Sequence, residues 1–341
     1  MEYRQLGQSG LRVSAVAYGN WVTHGNQLDD RAATACVAAA LDAGITTFDT
    51  ADRYAEGRAE EALGKALSGV RRSSIELCTK VCLPVGPGAN DAGLSRKHII
   101  EGCHASLSRL GTDYVDLYQA HRYDDSVPLE ETMLAFADLV RQGKVLYVGA
   151  SEWTAPQLRA GLRLAAELHI PFIANQPQYS MLWRVVEAEV SPACADLGLG
   201  QLAWSPLAMG VLTGRYEPGR RPPAGSRATD GFGGSFIARY SSDLLLSRVR
   251  QLQPIAKAAG CTMAQLAVAW VLHRPTVAGA IVGASRPEQL AETAKATAVR
   301  LDDELMARID AVLDEFVERD PAKTARPNDV MPSWRPPPAA G

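Results

Sequence analysis

Short apolar runs rich in β-branched residues recur along the chain at 12–19, 45–49, 74–80, 114–121, 145–151, 172–176, 202–206 and 277–283. Nearly continuous apolar character over so few residues marks strands buried on both faces, as in a parallel sheet. Between them, apolar positions return with helical spacing. Residues 29–43 set Ala33, Cys36, Val37, Ala40 and Leu41 on one face, with Asp29 placed to cap the start and Gly44 just past the end. Residues 95–110 repeat the form: Ser95 leads, Ile100, Cys103, Leu107 and Leu110 align, and Gly111 stops the helix. Helical patterns at 58–68, 130–141, 155–168, 184–197, 262–273 and 287–296 complete the alternation.

Eight strands alternating with eight helices predict an α/β fold, a single (β/α)8 TIM barrel over residues 1–320, in preference to a doubly wound sheet. No strand is followed by the Gly-x-Gly-x-x-Gly turn of a dinucleotide-binding doubly wound fold. "GFGG" at 231–234 comes closest, but lies in a Gly-, Pro- and Arg-rich stretch that reads as loop. The regular spacing breaks once, between the seventh and eighth strands, where a long loop insertion and a helical segment near 241–259 intervene. Long loops in compact domains are commonly functional, and this one would lie at the barrel's C-terminal mouth. An extra helix near 302–317 follows, and the Pro-rich residues 321–341 are expected to form a poorly ordered tail.

The 341 residues carry a formal net charge of −3, with no basic stripe, so nucleic acid is not an expected partner. No apolar run approaches the roughly 20 residues needed to span a bilayer, and "MEYRQLGQSG" lacks the features of a signal peptide. A soluble, cytoplasmic protein without membrane insertion is expected. The six cysteines are scattered, with no second pair or histidine cluster to complete a zinc site, so reduced structural thiols and no metal are expected.

Four polar residues fall at or just after strand ends: Asp49, Tyr54, Lys80 and His121. In a barrel, three different strands would bring them to one mouth. Strand faces alternate, so Asp49 and Tyr54 cannot both point inward from one strand, and Tyr54 must lie on a turn that bends back over the opening. Taken singly, each has an ordinary structural role available; the joint placement favours a site.

The segments "GITTFDTADRYAEGRAEEALGKAL", "CTKV", "YVDLYQAHR", "VGASEW", "NQPQY", "WSPLAMGVLTGRY" and "VGASRPEQL" together resemble the aldo-keto reductases. The match is closest to the branch of the potassium-channel β subunits and their bacterial relatives, and covers roughly residues 3–317. The resemblance implies a barrel that binds NADPH/NADP+ without a Rossmann fingerprint and reduces a small-molecule carbonyl substrate. By position it makes Asp49, Tyr54, Lys80 and His121 a catalytic tetrad. In that scheme Tyr54 donates the proton, Lys80 favours the phenolate and lowers its pKa, Asp49 fixes Lys80, and His121 orients the carbonyl.

The resemblance also implies a cofactor cradle. Ser151 and Gln176 would hold the nicotinamide carboxamide, with Trp21 and Asp49 beside them, and Trp204, Ser205, Pro206, Leu207 and Met209 would wrap the pyrophosphate. Arg215 and Arg227 would clasp the cofactor from the insertion. At the last helix stand Gly283, Ser285, Arg286, Gln289 and Glu292, where free N–H groups and Arg286 suit the 2′-phosphate of NADP. Glu152 and Thr293 depart from the family pattern, which removes both from the expected contacts. Trp21, Tyr123, Trp153 and Trp183 are candidates for an apolar substrate pocket.

Two other functions compete. A slow-turnover NADP(H)-sensing regulatory subunit follows from the channel-subunit resemblance, although channel subunits carry Asn where this chain has His121. A barrel aldolase using Lys80 as Schiff-base nucleophile would need a desolvated lysine of low pKa, which an Asp49 partner opposes. The resemblance admits a homo-oligomer, since relatives include tetramers.

Overall fold

The computed structural model describes residues 1–231 and 233–324. Among these, ten strands run in chain order: β1 (Tyr3–Gln5), β2 (Arg12–Ser14), β3 (Val16–Gly19), β4 (Thr47–Asp49), β5 (Glu76–Val81), β6 (Val115–Ala120), β7 (Val145–Ser151), β8 (Phe172–Gln176), β9 (Gly200–Trp204) and β10 (Val277–Val282). β3 to β10 close into a parallel barrel in sequence order, with β10 pairing back onto β3. All six positions of β6 and of β10 are buried, as their unbroken apolar character requires.

Helices connect the strands and pack outside them. In order these are α1 (Asp30–Asp42), α2 (Arg58–Ala66), α3 (Arg96–Leu110), α4 (Leu129–Arg141), α5 (Ala155–Leu168), α6 (Val190–Leu197), α7 (Gly234–Ile237), α8 (Asp243–Arg250), α9 (Gln253–Ala258), α10 (Met263–Leu272), α11 (Pro287–Ala294) and α12 (Asp303–Leu313). The expected caps are present. Asp29 accepts from Ala32 N, Ser95 accepts from His98 N, and Gly111 ends α3 at a φ of 65°.

The structure departs from the sequence pattern in four places. The run 12–19 is two strands, because β2 leaves the barrel to pair antiparallel with β1. This hairpin closes the bottom of the barrel and packs Leu6 and Val13, both fully buried, against Ala17, Cys78, Leu117 and Leu202. Gly7 makes that closure feasible: its φ is 63°, and a Cβ there would meet the Gly198 carbonyl at 2.3 Å. The pattern at 184–197 is a short 3-10 turn followed by α6, and that at 241–259 is α8 and α9 separated by a break. The last departure concerns the tail expected from residue 321. Pro321–Lys323 form a 3-10 turn and Thr324 is buried, while residues 325–341 of that tail lie outside the described residues, as does Phe232 of "GFGG".

The six cysteines are free, five of them buried. No single helix among the described residues is long and apolar enough to cross a membrane.

Candidate active site

The C-terminal ends of β3, β4, β6, β7, β8, β9 and β10 surround one cavity of about 600 Å³, roofed by the segment between β9 and β10. Asp49 is the last residue of β4, Lys80 lies one residue from the end of β5, and His121 follows β6. Parallel strands in register therefore deliver all three to the same end. Tyr54 starts a 3-10 turn of unusual backbone: Ala55, Glu56 and Gly57 have φ of 49°, 58° and 88°. Three consecutive left-handed residues reverse the chain sharply, so the ring returns over the opening.

Lys80 is the hub. Its Nζ donates to Asp49 Oδ2 at 2.7 Å, to the Thr50 carbonyl at 2.8 Å and to Tyr54 Oη at 3.2 Å. An ammonium has three protons to donate, so all of them are committed. Lys80 is fully buried and does not border the cavity, whereas Asp49, Tyr54 and His121 do. Burial works against the Lys80 charge, but Asp49 and Tyr54 carry its pKa above the usual value. The lysine is a fixed cation, unlike a Schiff-base nucleophile.

The lowering of the Tyr54 pKa expected from Lys80 is present but outweighed. Burial of the phenol pushes it above the usual tyrosine value, against the pull of Lys80. Tyr54 is thus fully protonated at neutral pH, and Lys80 moderates the cost of losing that proton. Burial, with Arg122 and Lys80 nearby, holds His121 well below the usual histidine value, so its ring is neutral. His121 Nδ1 is buried without a partner among the described residues, which leaves Nε2 as the nitrogen available to the cavity that His121 lines. The Tyr54 and His121 rings meet edge to face, 5.6 Å apart between centroids.

Gln176 Nε2 donates to Asp49 Oδ1 at 2.8 Å, leaving the side-chain oxygen toward the cavity. Ser151 Oγ donates to the Gln176 carbonyl at 2.8 Å. Trp21, Trp204, Ser205, Pro206, Leu207 and Met209 form the adjoining wall, with the Trp21 and Trp204 rings edge to face at 6.1 Å. Arg215, Arg227, Gly283, Ser285, Arg286, Gln289 and Glu292 line the remainder. Of the residues singled out in the sequence for chemistry or cofactor contact, only Lys80 lies off this one surface.

Three expectations need correction. The N–H groups at the start of α11 are not free: Gln289 Oε1 accepts from Ser285 N at 2.8 Å and from Arg286 N at 3.2 Å. Gln289 must turn aside before an anion can use them. Trp153 is fully buried in the core against Tyr123 and Phe172, and Trp183 is buried beneath Arg239, so of the four candidate pocket aromatics only Trp21 borders the cavity. Thr293, set aside in the sequence, does line it.

Glu152 has a definite place. Its φ of 58° turns the side chain away from the cavity into the wall, where Oε1 accepts from Gln178 N and, at 2.6 Å, from Trp204 Nε1. Burial raises its pKa to about 7, against the pull of Arg122 and those two donors. The folded protein therefore holds a proton that the unfolded chain releases between the ordinary glutamate value of 4.5 and about 7, and stability falls as pH rises through that window. Glu152→Gln keeps the acceptor and removes the titration. The stability of this variant relative to wild type is expected to grow by up to about 3 kcal/mol between pH 5 and pH 8, read as thermal midpoints. A difference that does not change with pH would contradict the buried, protonated carboxyl.

Among the cavity residues without a distinctive signal in the sequence, two are polar and reach toward functional elements. Gln27 donates to Asp230 at 3.0 Å and ties the β3–α1 loop to the insertion. Arg122, next to His121 in "AHRYDD", also borders the cavity. Its neighbour was the only clue.

A model of the aldo/keto reductase family matches residues 15–314. Similar proteins include a "Probable voltage-gated potassium channel subunit beta" of Oryza sativa subsp. japonica, 43% identical over 94% of this chain and 98% of the relative. Another of the same name from Arabidopsis thaliana is 45% identical over 88% and 92%. A "Putative voltage-gated potassium channel subunit beta" of Schizosaccharomyces pombe is 43% identical over 92% and 93%.

Proposed function

The chain belongs to the aldo/keto reductase family, and on that premise we propose that it reduces aldehyde or ketone carbonyls to alcohols with NADPH, Tyr54 acting as proton donor. The observation that carries this is the buried relay Asp49–Lys80–Tyr54 ending in a protonated phenol at the cavity. When bound, the reduced nicotinamide supplies a hydride to the carbonyl carbon. Tyr54 gives its proton to the carbonyl oxygen, and the Lys80 ammonium 3.2 Å away stabilises the phenolate left behind. Neutral His121 donates from Nε2 to the same oxygen and fixes its orientation.

The residues present fit the cofactor. The open oxygen of Gln176 and the hydroxyl of Ser151 suit a carboxamide, and the aromatic wall of Trp21 and Trp204 suits a flat ring. Ser205, Pro206, Leu207 and Met209 would follow the pyrophosphate, with Arg215 and Arg227 above it. Gly283, Ser285, Arg286, Gln289, Glu292 and Thr293 would hold the adenosine end. Arg286 is exposed at the cavity rim and suits the 2′-phosphate through a charge-assisted, forked contact. Arg286→Ala is expected to weaken NADPH roughly 10- to 100-fold while moving NADH little, measured by fluorescence titration. Equal effects on the two cofactors would remove Arg286 from the 2′-phosphate.

The names of the relatives favour one second function, an NADP(H)-sensing subunit that regulates a partner protein. NADPH consumption with a panel of aldehydes separates the two. Sustained turnover supports the reductase, and tight NADPH binding without turnover supports the sensor.

A further inference from the structure

Arg122 stands beside the proposed reaction centre with half of its guanidinium unused. Its Nη1 donates to the His121 carbonyl at 2.5 Å and to Ser151 Oγ at 3.5 Å. Nε and Nη2 make no hydrogen bond among the described residues, neither is a buried orphan, and Arg122 lines the cavity.

Among the described residues no carboxylate forms an ion pair with it, although its charge pulls on the buried Glu152 carboxyl. Asp49 is committed to Lys80 and Gln176. Asp124, two residues further on, is taken by Leu94 N through one oxygen and by Ser126 through the other. Glu152 is turned into the wall and held by Gln178 N and Trp204 Nε1, and no ion pair with Arg122 forms. Glu292, the remaining acid of the lining, comes from α11 at the end assigned above to the adenosine. The end of the cavity near Tyr54 and His121 therefore offers a cation that has no ion-pair partner among the described residues.

We propose that Arg122 selects carbonyl substrates that bear a carboxylate, receiving it on the free Nε–Nη2 edge while the carbonyl lies against Tyr54 and His121. This rests on the carbonyl-reductase function and names its substrate class. The edge presents two parallel N–H donors, the spacing of the two oxygens of a carboxylate. Nη1, anchored to the His121 carbonyl, holds the fork still. A neutral aldehyde leaves the guanidinium with only water, so discrimination arises from one charged contact at a part-buried site.

The test uses glyoxylate, succinic semialdehyde and para-carboxybenzaldehyde, each beside its methyl ester, so that three separations of carbonyl and carboxylate are sampled. Binding to the NADP+-loaded protein is measured by calorimetry, and turnover with NADPH is followed separately. At least one acid is expected to bind roughly 10- to 100-fold more tightly than its ester. Arg122→Gln brings that ratio close to one, and Arg122→Lys retains part of it. Ratios near one for all three pairs in wild type, or a preference that survives in Arg122→Gln, would overturn the proposal. So would an Arg122→Gln variant that loses NADP+ affinity as strongly as acid affinity, which would assign Arg122 to the cofactor. Acid preference without turnover would leave the Arg122 subsite standing and defeat the reductase function instead.

Discussion

Tyr54→Phe is expected to lower turnover of an aldehyde substrate by roughly 10²- to 10⁴-fold, the usual contribution of a general acid, with NADPH affinity little changed. The size follows from the lack of a substitute. Lys80 has all three protons committed, and His121 is neutral with its pKa held well below the usual value. Of these three, the phenol alone both borders the cavity and has an ammonium beside it to stabilise the anion left when its proton goes. Phe keeps the ring contacts with Trp21, at 6.3 Å, and with His121, at 5.6 Å, so the loss is one of chemistry and not of fold. Far-ultraviolet circular dichroism and NADPH titration check that point. A variant retaining most of its turnover would show that the proton comes from elsewhere.

Lys80→Met is expected to be the most damaging single change to stability in the site. It leaves Asp49, a buried carboxylate, with Gln176 as its remaining side-chain partner. Breaking one member of a buried ion pair typically costs about 3–5 kcal/mol, because the other charge stays desolvated. Adding Asp49→Asn removes the stranded charge, so the double variant should recover much of the loss in urea unfolding. Turnover should not recover, since Tyr54 still lacks the ammonium that stabilises its phenolate. If Lys80→Met unfolded at the wild-type urea concentration, the pair would not be the buried anchor described here.

The barrel was legible in the sequence because its strands are buried on both faces and leave unbroken apolar runs, as in "YVDLYQA" and "VAGAIVG". The helices of the alternation announced their ends through Asp29, Ser95 and Gly111. The N-terminal hairpin left no such trace. β1 is partly exposed and only three residues long, and β2 merges in sequence with the apolar run of β3. What separates β2 from β3 is pairing with a distant segment, which no local pattern encodes.

The site divides along the same line. Asp49, Lys80 and His121 could be read because a barrel gathers strand ends, whatever the loops do. Tyr54 could be placed because alternating faces exclude it from the strand. The direction taken by Glu152, and the burial of Trp153 after it, depend on a left-handed backbone at a non-glycine residue, which the sequence gives no reason to expect. The Tyr54 pKa likewise depends on how deeply the ring is buried, a property of the assembled mouth. Nothing in the sequence beyond its place beside His121 marks Arg122, because the occupation of its carboxylate neighbours is a property of the folded chain.

The most direct test mixes NADPH-loaded wild-type protein with excess aldehyde in a single turnover, following NADPH by its absorbance and the alcohol by chromatography, with Tyr54→Phe alongside. The wild type should convert one equivalent of bound NADPH to one equivalent of alcohol, and the variant should retain its NADPH through the same interval. NADPH that stays unconsumed in the wild type across the aldehyde panel, or equal consumption by both proteins, would contradict a Tyr54-driven carbonyl reductase.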